Sequence, residues 1–351
     1  DTAQYWSGFG QAVIIVLIQI GGMGVVTVAV AISMLAGRRI GLKERWVMQE
    51  SISAPQVGGI VRRTRFILTA MLLLEGAGAV LLALRFCPEM GLRGIWYAVF
   101  HAISSFCNAG FDLMGAEAGA PYVSLTGHVG DPLVNLTVMG LIVVGGIGFL
   151  TWGDVREHKW HLRSYCLQSK LVLVTTALLI LLPALFFLCY EFRLPQWEGM
   201  TLGEKDLAPL FQSVTPRTAG YNTVDLTQLT ESSQLVMILL MLIGGAPGST
   251  AGGFKVTTAA VFFLAFFTLP AAAADWRKKR RTFWISCGFS AMLSFTEILG
   301  MSLRLDYAAG GVEFSVGSVL WMACSALLFS LLLEPLMRRL MEFSIDSRRT
   351  G

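Results

Sequence analysis

Apolar residues run along this chain in long unbroken stretches, interrupted by glycine, proline and clustered charge. Read against those breakers, the stretches predict spans over residues 9–36, 66–86, 133–153, 171–190, 234–270, 283–303 and 312–337. About 20 consecutive apolar residues cross a hydrocarbon core as a helix. Continuous runs, as opposed to alternating ones, disfavour a β-barrel. The predicted class is therefore an all-α polytopic membrane protein. Composition agrees: of 351 residues, 54% are hydrophobic and 14% charged, against roughly 25% charged in a soluble domain.

Charge orients the spans. Basic residues gather in 37–65 (Arg38, Arg39, Lys43, Arg45, Arg62, Arg63, Arg65), in 154–170 (Arg156, Lys159, Arg163, Lys170), in 275–281 (Arg277 to Arg281) and at the end (Arg338, Arg339, Arg348, Arg349). The intervening segments 87–132, 191–233 and 304–311 are poorer in basic residues, as the positive-inside rule requires. The basic segments are expected in the cytoplasm, the start of the chain outside and its end inside, in a bacterial cytoplasmic membrane. Arg277 to Arg281 reads as a topology anchor in preference to a lipid or partner site.

Two external segments are too apolar for ordinary loops. Ile95 to Phe106 gives about three helical turns and runs into Cys107-Asn-Ala-Gly-Phe-Asp112. Leu207 to Val214 runs into Thr215-Pro-Arg-Thr-Ala-Gly-Tyr-Asn222. A helix too short to span, followed by extended backbone, predicts a re-entrant loop, which is tolerated at membrane depth only inside protein or beside a water-filled cavity. Asn108-Ala-Gly-Phe-Asp112 aligns with Thr218-Ala-Gly-Tyr-Asn222, and Gly-Gly recurs late in the apolar runs at 21–22, 145–146 and 244–245. A unit of outer helix, re-entrant pore loop and inner helix thus repeats.

That repeat carries candidate chemistry. A desolvated K⁺ ion needs several oxygens at once, and backbone carbonyls supply them without a fixed charge. Glycine permits the dihedrals that turn carbonyls inward. The candidate filter residues are Asn108, Ala109, Gly110 and Phe111 in one loop, and Thr218, Ala219, Gly220 and Tyr221 in the other. The plainer reading, glycines for close helix packing, suits the inner-helix pairs better than Gly110 and Gly220. A further break, Gly244, Gly245, Ala246, Pro247, Gly248, Ser249, Thr250, Ala251, Gly252 and Gly253, interrupts the run 234–270. Five glycines and a proline cannot continue a helix, and a gate is preferred to a passive kink. Lys255 either points at the cavity as a plug or snorkels to the cytoplasm.

Weaker signals remain. Glu75, Glu297 and Glu334 lie in or near spans, where a carboxylate is costly and usually paired or functional; Glu75 is expected to meet an Arg or a helix end. His101 is expected to pack. The six cysteines (Cys87, Cys107, Cys166, Cys189, Cys287, Cys324) suggest neither a disulfide framework nor a metal site. No H-E-x-x-H, G-x-S-x-G or paired-carboxylate constellation appears, so an enzyme is not expected. Asp1-Thr2 opens straight into an apolar run without a basic leader, and the registration of the repeats predicts a start just beyond a missing first loop.

The residues Gln19-Ile-Gly-Gly-Met-Gly24, Phe100-His-Ala-Ile-Ser-Ser-Phe-Cys-Asn-Ala-Gly-Phe-Asp112, Gln212-Ser-Val-Thr-Pro-Arg-Thr-Ala-Gly-Tyr-Asn222 and Gly244-Gly-Ala-Pro-Gly-Ser-Thr-Ala-Gly-Gly-Phe-Lys-Val256 resemble the Trk/Ktr/HKT superfamily of potassium uptake transporters, and its Ktr-type bacterial membrane subunit in particular. The likeness covers residues 1 to about 262. It implies a potassium-channel-like ring of four units around one pore, with 108–111 as the second filter strand, 218–221 as the third and 244–253 as the intramembrane gate. It also implies K⁺ as the transported ion, Na⁺ or H⁺ as candidate coupling ions, and no other cofactor. The implied partners are membrane lipid, a second copy in a homodimer and a cytosolic nucleotide-binding regulatory subunit; nucleic acid is not among them. The resulting domain expectations are 1–36, the inner helix of a first unit; 66–153, a second unit; 171–270, a third unit with the gate; and 271–351, a divergent membrane tail without a recognisable fourth filter, Phe314-Ser-Val-Gly-Ser318 being a degenerate echo. The rival expectation is a non-conducting fragment or scaffold subunit of such a transporter.

Overall fold

The computed structural model of the protein describes residues 2–24, 59–159 and 161–272. Residues up to Ala260 form one compact unit, and a second begins at Val261. The expected spans 283–303 and 312–337, the tail, Arg277 to Arg281, Glu297, Glu334 and Phe314 to Ser318 lie outside the described residues, as do 25–58.

Nine helices of eight or more residues are found among the described residues: α1 (Gly8–Met23), α2 (Ile60–Met90), α3 (Arg93–Phe106), α4 (Pro132–Gly146), α5 (Phe149–His158), α6 (Leu167–Cys189), α7 (Leu202–Val214), α8 (Glu231–Leu242) and α9 (Val256–Ala272). The stretches Val61–Met90 in α2 and Leu167–Arg193, which takes in α6 and the turn after it, are long and apolar enough to cross a membrane, and α4 with α5 would be a third if taken as one span. Both carry exposed apolar side chains, Leu72, Leu73 and Leu84 of α2 and Leu181 and Leu185 of α6, the surface expected where lipid is the solvent.

The packing repeats. The short helix α3 lies against the long α2 before it and α4 after it, and the short helix α7 lies against α6 before it and α8 after it. Adjacent sets are joined the same way: α1 packs on α3, and α4 packs on α7. Nearly every side of α3 from Tyr97 to Phe106 is buried, which marks it as a core helix rather than a surface one. The starts of these helices are written locally. At α7, Thr201 and Glu204 form a reciprocal capping box (Thr201 N to Glu204 Oε2, 2.7 Å), satisfying two orphan donors. At α4, Asp131 accepts from the N–H groups of Leu133 and Val134 ahead of Pro132, the position that tolerates proline.

The expected spans are interrupted at glycines. Within the expected 9–36 span α1 ends at Met23, where Gly24 has φ 79° and ψ 134°, and residues 25–36 lie outside the described residues. The expected 133–153 span is not one helix: α4 ends at Gly146, Gly148 has φ 85° and ψ 147°, and the chain turns by 97° into α5. Gly21-Gly-Met-Gly24 and Gly145-Gly-Ile-Gly148 therefore end their helices with the same backbone, in a region that only glycine enters readily. The glycine pairs themselves stay helical, and the glycine two or three residues further on, Gly24 or Gly148, is the one with positive φ. In the third set the break comes at Ile243, as the Gly/Pro-rich run predicts, and Ile243 pairs with Phe254 so that the excursion 244–253 leaves and returns at one point.

Candidate functional site

The two short helices end in loops with matching backbone. Asn108 and Gly110 have φ of 51° and 73°, and Thr218 and Gly220 have φ of 66° and 86°. The residues between them have negative φ, so the sign alternates along 108–111 and along 218–221. Alternation of this kind gathers N–H groups on one side and leaves the carbonyls on the other. The N–H groups point home: Ala109 N–H donates to Ser104 O (2.9 Å), and Ala219 and Gly220 N–H both donate to Thr215 O (3.1 Å each). Among the described residues, the carbonyls of Asn108, Ala109, Gly110, Thr218, Ala219 and Gly220 accept no hydrogen bond.

The loops meet each other at the glycines. A Cβ on Gly110 would run into the Ala219 carbonyl and reach within 3.3 Å of Gly220 Cα. The aromatic residues that follow are tied in sequence and across the contact. Phe111 O accepts from the Ser104 hydroxyl (2.8 Å) and from the Tyr221 hydroxyl (3.0 Å), and Tyr221 O accepts from the Thr215 hydroxyl (2.6 Å). His101 packs, as expected: its ring lies 6.2 Å from that of Tyr221, Nδ1 is 2.7 Å from Tyr97 O, and Nε2 accepts from Leu113 N–H.

The excursion 244–253 sits beside these loops but is fastened to the preceding set. Ala246 N–H donates to Gly146 O (2.8 Å), Phe149 N–H to Gly248 O (2.8 Å), and Thr250 N–H to Gly145 O (3.3 Å). A Cβ on Gly148 would lie 2.8 Å from Pro247 O, so glycine at the α4–α5 bend makes room for the excursion as well as turning the chain. Trp152 Nε1–H reaches back to Val144 O (3.0 Å) and holds that bend closed. Ser249 caps Ala246 O within the excursion (2.6 Å). Lys255 is neither free in a cavity nor extended away: its Nζ donates to Ala251 O at 2.8 Å.

For several buried polar groups the partners gave no sequence signal. Glu75, expected to meet an Arg or a helix end, instead receives both carboxylate contacts from Gln19 Nε2 (3.1 and 2.9 Å), with Cys107 Sγ 3.9 Å away. Arg217, 5% exposed, is held by Thr176 Oγ1 (3.4 Å), and the Gln212 side-chain amide is buried with no partner among the described residues. Glu191 is fully buried and accepts from Ser233 Oγ (2.6 Å), Thr230 Oγ1 (2.6 Å), Trp197 Nε1 (3.0 Å) and Gln196 Nε2 (3.2 Å). A buried carboxylate with that many donors is structural. No helical periodicity could announce these pairs, because most join residues distant in the chain and the rest lie in turns between helices.

Apolar helices at membrane length, with paired short helices ending in matched glycine loops, define an all-α membrane protein. The sequence model of the TrkH family, described as a cation transport protein, matches residues 1–271, and the chain belongs to that family. Ktr system potassium uptake protein B of Vibrio alginolyticus is 40% identical over 242 residues, 68% of this chain and 51% of that protein. The protein of the same name from Bacillus subtilis is 39% identical over 235 residues, 66% of this chain and 51% of that one. Potassium/sodium uptake protein NtpJ of Enterococcus hirae is 36% identical over 237 residues. The chain thus spans about half the length of the curated relatives it matches. A crystal structure of the potassium transporter TrkH from Vibrio parahaemolyticus is similar in fold, with a TM-score of 0.52 at 18% identity over 83% of this chain and 60% of that one.

Proposed function

We propose that this chain forms part of a K⁺ uptake pathway across the cytoplasmic membrane, with 108–111 and 218–221 as carbonyl-lined filter strands in re-entrant loops and 244–253 as the gate. The observation that carries this reading is the matched alternation of φ at 108/110 and 218/220, with six carbonyls left free of hydrogen bonds among the described residues. Carbonyls in that state can replace an ion's hydration shell. The relatives' names support K⁺ as the ion, and NtpJ's name adds Na⁺. Coupling to Na⁺ or H⁺ is part of the proposal. So are an external N-terminal end, a cytoplasmic C-terminal end and the unit boundaries 1–36, 66–153, 171–270 and 271–351.

The relatives are lettered as components of a Ktr system. By that analogy we assign a cytosolic nucleotide-binding regulatory subunit and a second copy of the chain as partners in the surrounding lipid. The test is uptake of K⁺, Rb⁺ and Na⁺ by cells lacking their own K⁺ uptake and expressing the chain with Gly220→Ser. A changed K⁺/Na⁺ preference is expected, and an unchanged preference sinks the filter assignment. Rubidium flux into liposomes carrying the purified chain separates the rival. Absent flux with intact fold favours a non-conducting scaffold.

A further inference from the structure

We infer that Thr250 is a positioning residue for ion preference: its hydroxyl ties the gate excursion of the third set to the second filter strand, so that the gate's seat and the filter's geometry are set by one hydrogen-bonded knot. The inference rests on the filter-and-gate reading above and goes beyond it by joining the two parts through a named side chain.

Thr250 Oγ1 donates to Phe106 O (2.8 Å) and lies 3.3 Å from Asn108 Oδ1. Phe106 is the last residue of α3, and its carbonyl is one of those a helix C-terminus leaves without an intrahelical partner. A hydroxyl delivered from 144 residues away fills that vacancy. Asn108 is the first residue of the filter strand and holds φ 51°, a left-handed conformation that L-residues adopt only at a cost. Asn is one of the few residues that visit it routinely, and here its side chain makes two contacts. On one side Asn108 Oδ1 faces Thr250, and on the other Asn108 Nδ2 donates to Arg217 O (3.4 Å), the carbonyl immediately before Thr218 in the third strand. One amide therefore touches the gate excursion and the neighbouring filter strand together.

The surrounding backbone leaves this knot little slack. A Cβ on Gly145 would run into Phe106 O and come within 2.8 Å of Thr250 Oγ1 and 3.0 Å of Asn108 Oδ1, so the three groups converge on one glycine. Thr250 N–H is bonded to Gly145 O (3.3 Å), which sets the height of its side chain. The matching position in the third strand is different: Thr218 Oγ1 is buried without a hydrogen-bond partner among the described residues, and a Cβ on Gly253 would sit 3.4 Å from Thr218 Cγ2. Among the described residues, the excursion therefore sends its Thr250 hydroxyl bonds to the preceding set and not to its own strand. Lifting it must break the Thr250 contacts and release Asn108, which couples gate position to filter geometry in the sense of two sites biasing one element.

The test compares T250V, which keeps the shape and removes the hydroxyl, with T250S, which keeps the hydroxyl, and with N108A. K⁺/Na⁺ discrimination is read by uptake in the cells described above. Independently of transport, it is read as the difference between K⁺ and Na⁺ in raising the unfolding temperature of the purified chain. Discrimination is expected to fall roughly fivefold in T250V and in N108A, the worth of about one hydrogen bond. T250S should keep it, and T250V/N108A should be no worse than either single variant. Discrimination unchanged in T250V, with or without a change in total flux, overturns the inference, as does an additive double variant. If T250V does not fold, T250A against T250S decides on the same two readouts. Failure of the underlying filter reading is distinguishable, because Gly220→Ser would then leave discrimination unchanged as well.

Discussion

The loops after α3 and α7 share a backbone and differ in nearly everything that surrounds it. Phe111 and Tyr221 hold equivalent positions, yet Phe111 is 43% exposed and Tyr221 is 0% exposed. Tyr221 lies against the preceding short helix, near His101, and its hydroxyl reaches Phe111 O. Asn108 and Thr218 also correspond, yet the first is bonded on both sides and the second has an unpartnered hydroxyl. Even the starts of the following helices differ. At α4 a carboxylate from the loop itself, Asp131, caps the helix and pairs with Arg85 of α2. At α8 the cap is Thr230, and the carboxylate is Glu191, just beyond the end of α6. Both solutions place an anion at a helix N-terminus, where the macrodipole favours it. Repetition here conserves the backbone path and leaves the side-chain solution to each position's neighbours.

The sharpest break of that comparison is at the two glycines. Gly110→Ala should destabilise by about 3 kcal/mol or more, because left-handed strain of about 1–2 kcal/mol adds to a collision with the Ala219 carbonyl that overpacking scales put at about 1–3 kcal/mol. Gly220→Ala, whose nearest atom would be Gly110 Cα at 3.9 Å, should show the strain alone, about 1–2 kcal/mol. Equal shifts in unfolding temperature of the purified chain would mean that the contact is not where it is drawn.

Next are the carboxylates. Glu191→Ala strands several buried donors and should cost about 3 kcal/mol. Asp131→Ala removes a cap and an exposed pairing and should cost about 1 kcal/mol. Denaturation of both variants side by side checks the order, and a reversed order would put the structural carboxylate in the wrong set.

Smaller still, Tyr221→Phe removes the tie to Phe111 O and should cost about 1 kcal/mol. The smallest effect is expected at Phe111→Leu, within about 0.5 kcal/mol for so exposed a side chain. A larger loss at Phe111 than at Tyr221 would show that the exposed ring is covered in the working protein.

The long spans, the two short helices and the third break were legible in the sequence, because each depends on local composition. An apolar run predicts 66–86, which lies within α2, and 171–190, which α6 matches to within one residue at its end. Five glycines and a proline announce the excursion 244–253, and Ala-Gly-aromatic announces both loops. The 97° turn at Ile147-Gly148 was hidden in a continuous apolar pattern, although Gly24 and Gly148 already occupied matching places. What tertiary structure alone decided is which side chains complete which backbone. Thr250 reaches Phe106 and Asn108, Tyr221 reaches Phe111, and Gln19 reaches Glu75. Secondary structure is a period along one chain, whereas these pairs depend on two helices arriving at the same depth. In a membrane, where no water is at hand to satisfy a stray carbonyl or amide, that arrival determines where the buried polar groups find partners.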